Sequence, residues 1–538
     1  MPTLHWIGKD KVINHHRDVP YKVLEHAYGF DAAKGKTKQP TGSGNKVIHG
    51  DNLEALKSLL PEYEGKVKCI YIDPPYNTGN EGWVYNDNVN DPRIKKWLGD
   101  VVGKEGEDLS RHDKWLCMMY PRLVLLHKLL SEDGLIFVSL DEVEIHHFRM
   151  MMEEIFGASN YLSTVTWEKR FTRSNNAKLF STVTENILVF RRSGMVTQLR
   201  EARTEKADSI YTNPDNDPRG PWTSVSYVNP VTKEKRKNLV YTVTAPDGRK
   251  IDHPTHAWKY DRDTHAYHVD QKMLWWGNAG DNAYPRLKKF KDSLDGMVPV
   301  DLWNYEETGT TDEGSKILAE IIGANKFDNP KPPRLIERCL GFINDSNAII
   351  LDSFAGSGTT AHAVLNLNKQ DGGNRKFILI EMMDYAESIT AERVKRVMQG
   401  YGEGNKKTEG TGGTLDYYTL GAPLFNGQEQ LNEDVGVERI REYIWYSETR
   451  AALETPTTTA KGKAAKANPY YLGMHEHTAY YFVYEAKALT TLDHELLGTL
   501  PTKGERTVIY ADNCLLPKKF LEQHGIVFKK IPRDISRF

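Results

Sequence analysis

Two short stretches of this chain hold residue types that could do chemistry together. In the first, an apolar run from Val67 to Ile72 feeds directly into Asp73-Pro74-Pro75-Tyr76. Two prolines behind a buried strand stiffen the backbone and leave the Pro74 carbonyl without a sheet partner. That carbonyl and the Asp73 carboxylate can both accept hydrogen bonds from one NH2 group. An exocyclic amine on an aromatic ring is a poor nucleophile, because its lone pair is delocalised. Two acceptors holding both N–H bonds would draw the nitrogen toward tetrahedral geometry and aim the lone pair at an electrophile. Tyr76 offers a flat face for a base turned out of its stack, a role that needs the ring and not the hydroxyl. The plain alternative is a strand-ending turn that happens to contain two prolines.

The second stretch, Asp352-Ser353-Phe354-Ala355-Gly356-Ser357-Gly358-Thr359-Thr360-Ala361, falls between a strand and a helix. Glycines there permit a tight turn and a close approach of ligand to backbone. The helix start behind them presents free N–H groups to a carboxylate or phosphate. Glu381 ends the next strand, where a carboxylate can accept hydrogen bonds from ribose hydroxyls. By itself the loop is ambiguous. Gly356-x-Gly358-x-x-Ala361 also satisfies the dinucleotide fingerprint, and a glycine turn can serve packing alone. The Asp73–Tyr76 stretch breaks the ambiguity in favour of methyl transfer from S-adenosylmethionine.

Both stretches need a scaffold of alternating strands and helices, and the sequence supplies one. Leucines at helical spacing fill Asn52–Leu60, the strand Val67–Ile72 comes after them, and a long apolar helix covers Lys114–Leu130. The strand Leu135–Leu140 is next, then a helix over Glu142–Phe156 stopped by Gly157. Such alternation predicts a mostly parallel α/β sheet. Residues 193–325 differ, with short strands and turn-rich runs such as Asn213–Trp222, and read as an inserted domain. The alternation resumes with strands at Ala348–Leu351 and Phe377–Glu381 and helices at Thr360–Asn368 and Ala386–Met398. The expected organisation is an N-terminal extension (1–45), a catalytic half (46–192), the insertion (193–325), a cofactor half (326–400), a linker (401–413) and a C-terminal domain (414–538). The last contains a low-complexity loop over Thr455–Asn468.

Bulk composition narrows the classes. At 538 residues the chain is long enough for two or three cores, and a hydrophobic fraction of 39% can fill them. No run of eighteen apolar residues and no signal-peptide pattern is present, so a cytoplasmic protein with no membrane partner is expected. The four scattered cysteines form no CxxC pair, which argues against a disulfide framework or a zinc site. A net charge of −2 excludes a general polycation, so any nucleic acid must be held by a local basic surface.

With these motifs in hand, the chain resembles the amino-directed DNA methyltransferases of the adenine type. The order of tetrapeptide, insertion and glycine loop is similar to their β class. The run Asp73-Pro74-Pro75-Tyr76-Asn77-Thr78-Gly79 looks like the modification subunits of type III restriction–modification systems and their stand-alone relatives. His49-Gly50-Asp51-Asn52, Asn329-Pro330-Lys331-Pro332 and C-terminal stretches such as Tyr417–Gly421, Tyr443–Trp445 and Val508–Asp512 agree. Thr184-Glu185-Asn186 departs from the His-Glu-Tyr of many relatives, which puts a role for Asn186 in doubt. The resemblance implies an S-adenosylmethionine-dependent, Rossmann-like doubly wound sheet with an inserted target-recognition domain and a mixed α/β C-terminal domain. It implies adenine N6 methylation of double-stranded DNA at a specific site by base flipping, since Asp in first place favours adenine over cytosine. Asp73, Pro74, Pro75 and Tyr76 would be catalytic. Phe354, Gly356 and Gly358 would line the cofactor, with Asp352 and Thr359 near its methionine end and Asp73 also among its contacts. Lys331 would face its carboxylate, Glu381 its ribose and Asp51 its adenine, although Asp51 can equally cap a helix. No metal is implied, and the sequence shows no His/Cys/Asp cluster at ligand spacing.

In the insertion, cations interleave with aromatics. Arg219, Lys235, Arg236, Lys237, Trp258, Arg286 and Lys288 are the expected DNA contacts, through phosphates or base edges. The alternative is that the aromatics are this domain's core and the lysines its solvated face. An RNA or protein amide-nitrogen methyltransferase is disfavoured by Asp73 and by the large insertion. A non-catalytic DNA-binding subunit has no need of intact Asp73, Tyr76, Gly356 and Gly358. No Gly-x4-Gly-Lys-Ser/Thr loop is present, so DNA cleavage would require a separate restriction subunit. The apolar runs Tyr480–Tyr484 and Val508–Tyr510 call for either a core of that region's own or a partner surface, and the resemblance tips the expectation to a homodimer joined through residues 414–538.

Overall fold

The computed structural model describes residues 3–77, 111–173, 178–293, 296–404, 407–426, 428, 430–453, 468–486, 488–500 and 504–536. Thr78, Gly79, residues 405–406 of the expected linker and 455–467 of the expected low-complexity loop lie outside the described residues. The chain divides into two compact units, residues 1–197 with 300–538, and residues 198–299.

The larger unit is built on one mixed sheet of 11 strands. In chain order these are β1 (Lys22–Asp31), β2 (Gly35–Thr37), β3 (Lys46–His49), β4 (Val67–Ile72), β5 (Leu130–Leu140), β6 (Tyr161–Glu168), β7 (Thr184–Arg191), β8 (Leu302–Trp303), β9 (Ile349–Asp352), β10 (Lys376–Glu381) and β11 (Thr414–Pro423). Their spatial order is β8-β6-β7-β5-β4-β9-β10-β3-β11-β1-β2. The central run from β5 through β4, β9, β10 and β3 to β11 is parallel throughout. Its strands read as continuous apolar runs because helices cover both faces. Ile70, Ile72, Ile136, Val138, Leu351, Ile378 and Ile380 are essentially inaccessible to water. The helices that matter for the site are α1 (Asn52–Tyr63), α2 (Arg111–Leu129), α3 (Ile145–Phe156), α4 (Thr311–Ile322), α5 (Pro333–Leu340), α6 (Thr359–Asp371) and α7 (Glu392–Gln399). Among the described residues no helix is long and apolar enough to cross a membrane.

Three expected boundaries move. The insertion is narrower than 193–325, since residues 302–303 pair in parallel with β6 and α4 belongs to the larger unit. The N-terminal extension is not an appendage, because β1 and β2 extend the sheet. The C-terminal domain does not begin at 414 either. β11 is a full member of the sheet, parallel to β3 and antiparallel to β1. β11 was hidden behind a glycine-rich stretch because its own pairing partners, β1 and β3, lie far away in sequence. Gly400–Tyr401 pairs with Thr408–Glu409 as a small hairpin.

Beyond β11, a helix at Val437–Thr449 and a four-stranded sheet (Tyr471–His475, Thr478–Phe482, Arg506–Ala511, Ile526–Lys530) complete the unit. Tyr480, Phe482, Val508 and Tyr510 join the same continuous core as the main sheet, while Tyr481, Val483 and Ile509 fill a second cluster. The apolar runs expected to bind a second copy are therefore buried within this chain, and they provide no argument for a homodimer.

Candidate active site

Strands β4 and β9 lie side by side in register, Cys69 opposite Ile350 and Ile70 opposite Leu351. β4 has β5 on its other flank, and β9 has β10. The connections after β4 and β9 thus leave in opposite directions, which opens a crevice at the carboxyl ends of these two strands. Asp73 to Tyr76 and Ser353 to Gly358 emerge together there.

The tetrapeptide is held from behind. Trp115 Nε1 donates to the Pro75 carbonyl at 2.6 Å, and Pro74 is buried. Among the described residues no group donates to the Pro74 carbonyl, so it remains an available acceptor. Asp73 is at the centre of a buried polar cluster. Lys331 Nζ donates to Asp73 Oδ2 at 2.7 Å and to the Tyr76 hydroxyl at 2.7 Å, and it lies 3.2 Å from Glu185 Oε1. The single proton of the Tyr76 hydroxyl is shared between Asp73 Oδ1, at 2.5 Å, and Glu185 Oε1, at 2.8 Å. Lys169 Nζ reaches Glu185 Oε2 at 3.4 Å.

This arrangement splits the two carboxylates. Burial raises the pKa of Asp73, Lys331 pulls it down, and the Glu185 charge raises it again, with a net rise. Burial pushes Glu185 up too, but two lysines outweigh it and its pKa falls below the ordinary value. Asp73 is therefore the carboxylate that takes a proton more readily. Acidification should protonate it first and remove an acceptor for the amine. We expect kcat/KM to fall on the acid side with an inflection above the ordinary aspartate value of about 4. Glu185→Gln removes the repelling charge and should move that inflection to lower pH; an unmoved inflection would assign it to another group.

The Tyr76 hydroxyl, bonded to both carboxylates, gives the residue a second part to play beside its ring. Tyr76→Phe keeps the stacking face yet strips a donor from two buried carboxylates, at a cost of about 1–3 kcal/mol. Thermal denaturation should show that loss, with kcat/KM falling about tenfold. Tyr76→Ala should fall further. Wild-type melting and turnover in the Phe variant would return the role to the ring alone.

The glycine loop is fastened equally closely. Gly356 has φ 51° and Gly358 φ 79°, both left-handed. The Gly356 N–H donates to Glu381 Oε2 at 2.8 Å, and its carbonyl accepts from Thr390 Oγ1 at 2.5 Å. Asp352 accepts from the Phe354 N–H and the Thr360 hydroxyl. Burial pushes Asp352 and Glu381 each up to about 7. Helix α6 begins directly after Gly358 with no side-chain cap, leaving its first N–H groups for a ligand. Behind this start Arg393 is fully buried and donates to Ser357 Oγ at 2.8 Å and Thr359 Oγ1 at 2.7 Å. No carboxylate pairs with it among the described residues, and burial lowers its pKa to about 9. A buried cation without a counter-ion is costly, and an anionic ligand at the α6 terminus would offset it.

A pocket open to solvent lies in the crevice, with about 340 Å³ of empty space when the adjoining solvent is included. Of the expected site residues, Asp73, Lys331, Asp352, Phe354, Gly356 and Thr359 line it, together with Asn329 and Phe327. Gly358 stands just behind, where a Cβ would sit 3.0 Å from the Thr390 carbonyl. Asp51 and Glu381 do not line it. Asp51 caps α1 by accepting from Leu53 and Glu54 N–H groups, the plainer of its two readings. Glu381 is 2% exposed and holds the backbone of Gly356 and Met383. Lys331 serves the Asp73 cluster. Asn186 bonds Glu142 at 3.0 Å and is replaced in the cluster by its neighbour Glu185. Glu185 and Arg393 escaped sequence reading. The available signal was a lone charge on an otherwise apolar strand or helix face, in Thr184-Glu185-Asn186-Ile187-Leu188 and Ala391-Glu392-Arg393-Val394.

Within residues 198–299 the expected DNA contacts sort by burial. Trp258 is 2% exposed and belongs to the unit's core with Tyr227, Tyr241 and Trp276. Lys288 is 4% exposed and pairs with Asp215 and Asp217. Arg219 is held by both oxygens of Asp217. Trp258 and Lys288 build the unit's interior and are corrected from the expectation, whereas Arg219 keeps an exposed side chain and stays a candidate contact. Lys235, Arg236, Lys237 and Arg286 are exposed, Arg286 with its guanidinium on Ser224.

A model of the DNA methylase family matches residues 67–392, more than half of the chain, from the start of β4 into α7. The chain belongs to the N6/N4 DNA methylase family. It is 34% identical over 351 residues to the type III restriction-modification enzyme StyLTI Mod subunit of Salmonella typhimurium, covering 63% of this chain and 52% of that one. It is 27% identical to the EcoP15I Mod subunit of Escherichia coli, covering 74% and 66%. The type II methyltransferase M.KpnI of Klebsiella pneumoniae is 29% identical, covering 66% and 84%. The chain spans between about half and two thirds of the type III relatives' length. Among solved structures, the M1.HpyAVI complex with S-adenosylmethionine aligns at TM-score 0.29 and 16% identity, covering 65% and 99%. The cytosine-N4-specific PvuII DNA methyltransferase aligns at TM-score 0.33 and 12% identity, covering 65% and 86%. Scores this low carry no argument beyond the likeness itself.

Proposed function

We propose that this protein transfers a methyl group from S-adenosylmethionine to N6 of adenine at a specific site in duplex DNA, with the target base turned out of the helix. The observation that carries the reading is the Asp73 carboxylate in the lining of the glycine-loop pocket, followed in the chain by the unengaged Pro74 carbonyl. The pocket fits the cofactor. An uncapped helix terminus with buried Arg393 behind it suits the amino-acid carboxylate, and Phe354 and Gly356 line the space beside it. When bound, the cofactor supplies an electrophilic methyl group.

The residues of this chain do the rest. Asp73 and Pro74 accept the two N–H bonds of the adenine amine and aim its lone pair into the pocket. As the N–C bond forms, the amine must shed one proton, and Asp73, with its raised pKa, receives it. Lys331 and Glu185 hold the Asp73 carboxylate in place. The Tyr76 ring stacks on the extruded base while its hydroxyl stays in the cluster. Residues 198–299, through the exposed Lys235, Arg236, Lys237 and Arg286, contact the duplex. The names of the Mod-subunit relatives support a separate restriction subunit as a further partner.

The decisive test is expression of this protein alone in a methylation-free host. Methylation-sensitive long-read sequencing and nucleoside mass spectrometry should find N6-methyladenine in one short motif. N4-methylcytosine would move the activity to the other branch of the family, and unmodified DNA would end the proposal.

A further inference from the structure

Just past Tyr76 the fold brings His112 to Glu144 and His147, which are three residues apart in the chain. His112 sits in the first turn of α2, Glu144 immediately precedes α3, and His147 lies in its first turn. Nδ1 of His112 is 2.6 Å from Glu144 Oε1, and Nδ1 of His147 is 3.0 Å from Glu144 Oε2. The three possible ligand atoms all lie within 4.8 Å of one another. Glu144 is 1% exposed, whereas the imidazoles are partly open to solvent. Among the described residues no lysine or arginine pairs with Glu144. Its remaining side-chain partner is the neutral amide of Asn77, whose Nδ2 donates to Oε1.

We propose that His112, Glu144 and His147 bind a transition-metal dication of the zinc class. A buried carboxylate in contact only with imidazoles and an amide needs a positive charge beside it. Two imidazole nitrogens and one carboxylate are a donor set that zinc accepts and that magnesium or calcium, which favour all-oxygen shells, do not. Bonds of about 2.0–2.1 Å at tetrahedral angles put ligand atoms about 3.3 Å apart. The contacts at 2.6 and 3.0 Å are hydrogen-bond spacings that a bound ion would widen toward that value, within the 4.8 Å that bounds the set. The open faces of the two imidazoles provide an entry path and leave the fourth position to water.

The site is structural. Asn77 is 1% exposed and left-handed at φ 57°, and it comes directly after the tetrapeptide. A metal that fixes Glu144 also fixes the acceptor holding Asn77, and so ties the exit of the catalytic loop to the starts of α2 and α3. The cysteines are not involved. Cys69, Cys117 and Cys339 are buried elsewhere in the fold, and Cys514 lies in the C-terminal region.

The test needs no methylation assay. Full-length protein is stripped with EDTA and titrated with Zn2+ against a chromophoric chelator, with Co2+ as a spectroscopic probe. The wild type should take up one tightly held Zn2+ per chain, and saturation should raise its melting temperature. His112→Gln and His147→Gln keep a hydrogen-bond donor for Glu144 but lose the imidazole ligand. Each should weaken binding by more than about 100-fold, beyond the loss of a merely supporting contact, while the metal-free proteins melt alike. A wild type that holds no stoichiometric Zn2+ would overturn the site. So would equal uptake by the double variant, or a Co2+ spectrum with a thiolate charge-transfer band.

Discussion

Asp73→Ala should reduce methyl transfer by at least about a thousandfold while leaving cofactor binding weakened but measurable. Two losses combine. The amine loses an acceptor that positions it, and positioning supplies on the order of 7–11 kcal/mol in favourable cases. It also loses the group that takes its departing proton, typically a factor of about 10²–10⁴. The fold should survive the change. Lys331 stays beside Glu185 at 3.2 Å, so no buried charge is left unpaired. The α6 terminus, Phe354 and Gly356 remain to bind the cofactor, which is why calorimetry should still register S-adenosylmethionine. Asp73→Asn sharpens the test, since it keeps the shape and one acceptor oxygen but cannot take the proton. Single-turnover rates should place Asn with Ala. Near-normal turnover in either variant would refute the assigned chemistry.

Gly356→Val should abolish measurable cofactor binding without unfolding the protein. At φ 51° a β-branched residue is strained by roughly 1–3 kcal/mol. The backbone cannot relax, because its N–H is held by Glu381 and its carbonyl by Thr390. Gly356 also lines the pocket, so an isopropyl group removes space where a ligand would meet the main chain. Each 1.4 kcal/mol is about a factor of ten in affinity, so strain and lost space together should carry binding out of calorimetric range. Circular dichroism should match the wild type. Unchanged affinity would show that the ligand lies elsewhere.

The elements that carry these residues were legible in the sequence because they obey local rules. Val67–Ile72 running into two prolines specifies a strand that stops in a stiff turn. Asp352 running into alternating glycines specifies a strand that stops in a loop able to turn tightly into a helix. Gly157 closes a helix at φ 86°, as its position predicted. The sheet's central strands announce themselves as continuous apolar runs, which burial on both faces requires. At the edges that signal thins. β11 was lost behind a glycine-rich stretch, and β1 and β2 were hidden in an apparent extension. The pairing of β1 and β11 joins segments that lie 390 residues apart at His26 and Asp416.

From the sequence alone came the chemistry of the tetrapeptide and the loop, the α/β class and the position of an inserted segment. All of these rest on neighbouring residues constraining one another's backbone. Only the tertiary structure decided which side chains meet. It set β4 against β9, so that Asp73 and Gly356 share one crevice. It brought Glu185 and Lys331 to Asp73, set Glu381 against the backbone of Gly356, and buried Arg393 behind the loop. It placed Trp258 and Lys288 in the interior of their unit, and it gathered His112, Glu144 and His147. Burial and charge pairing are properties of the space around a residue. Residues distant in the chain fill that space, and a local pattern does not encode which of them will.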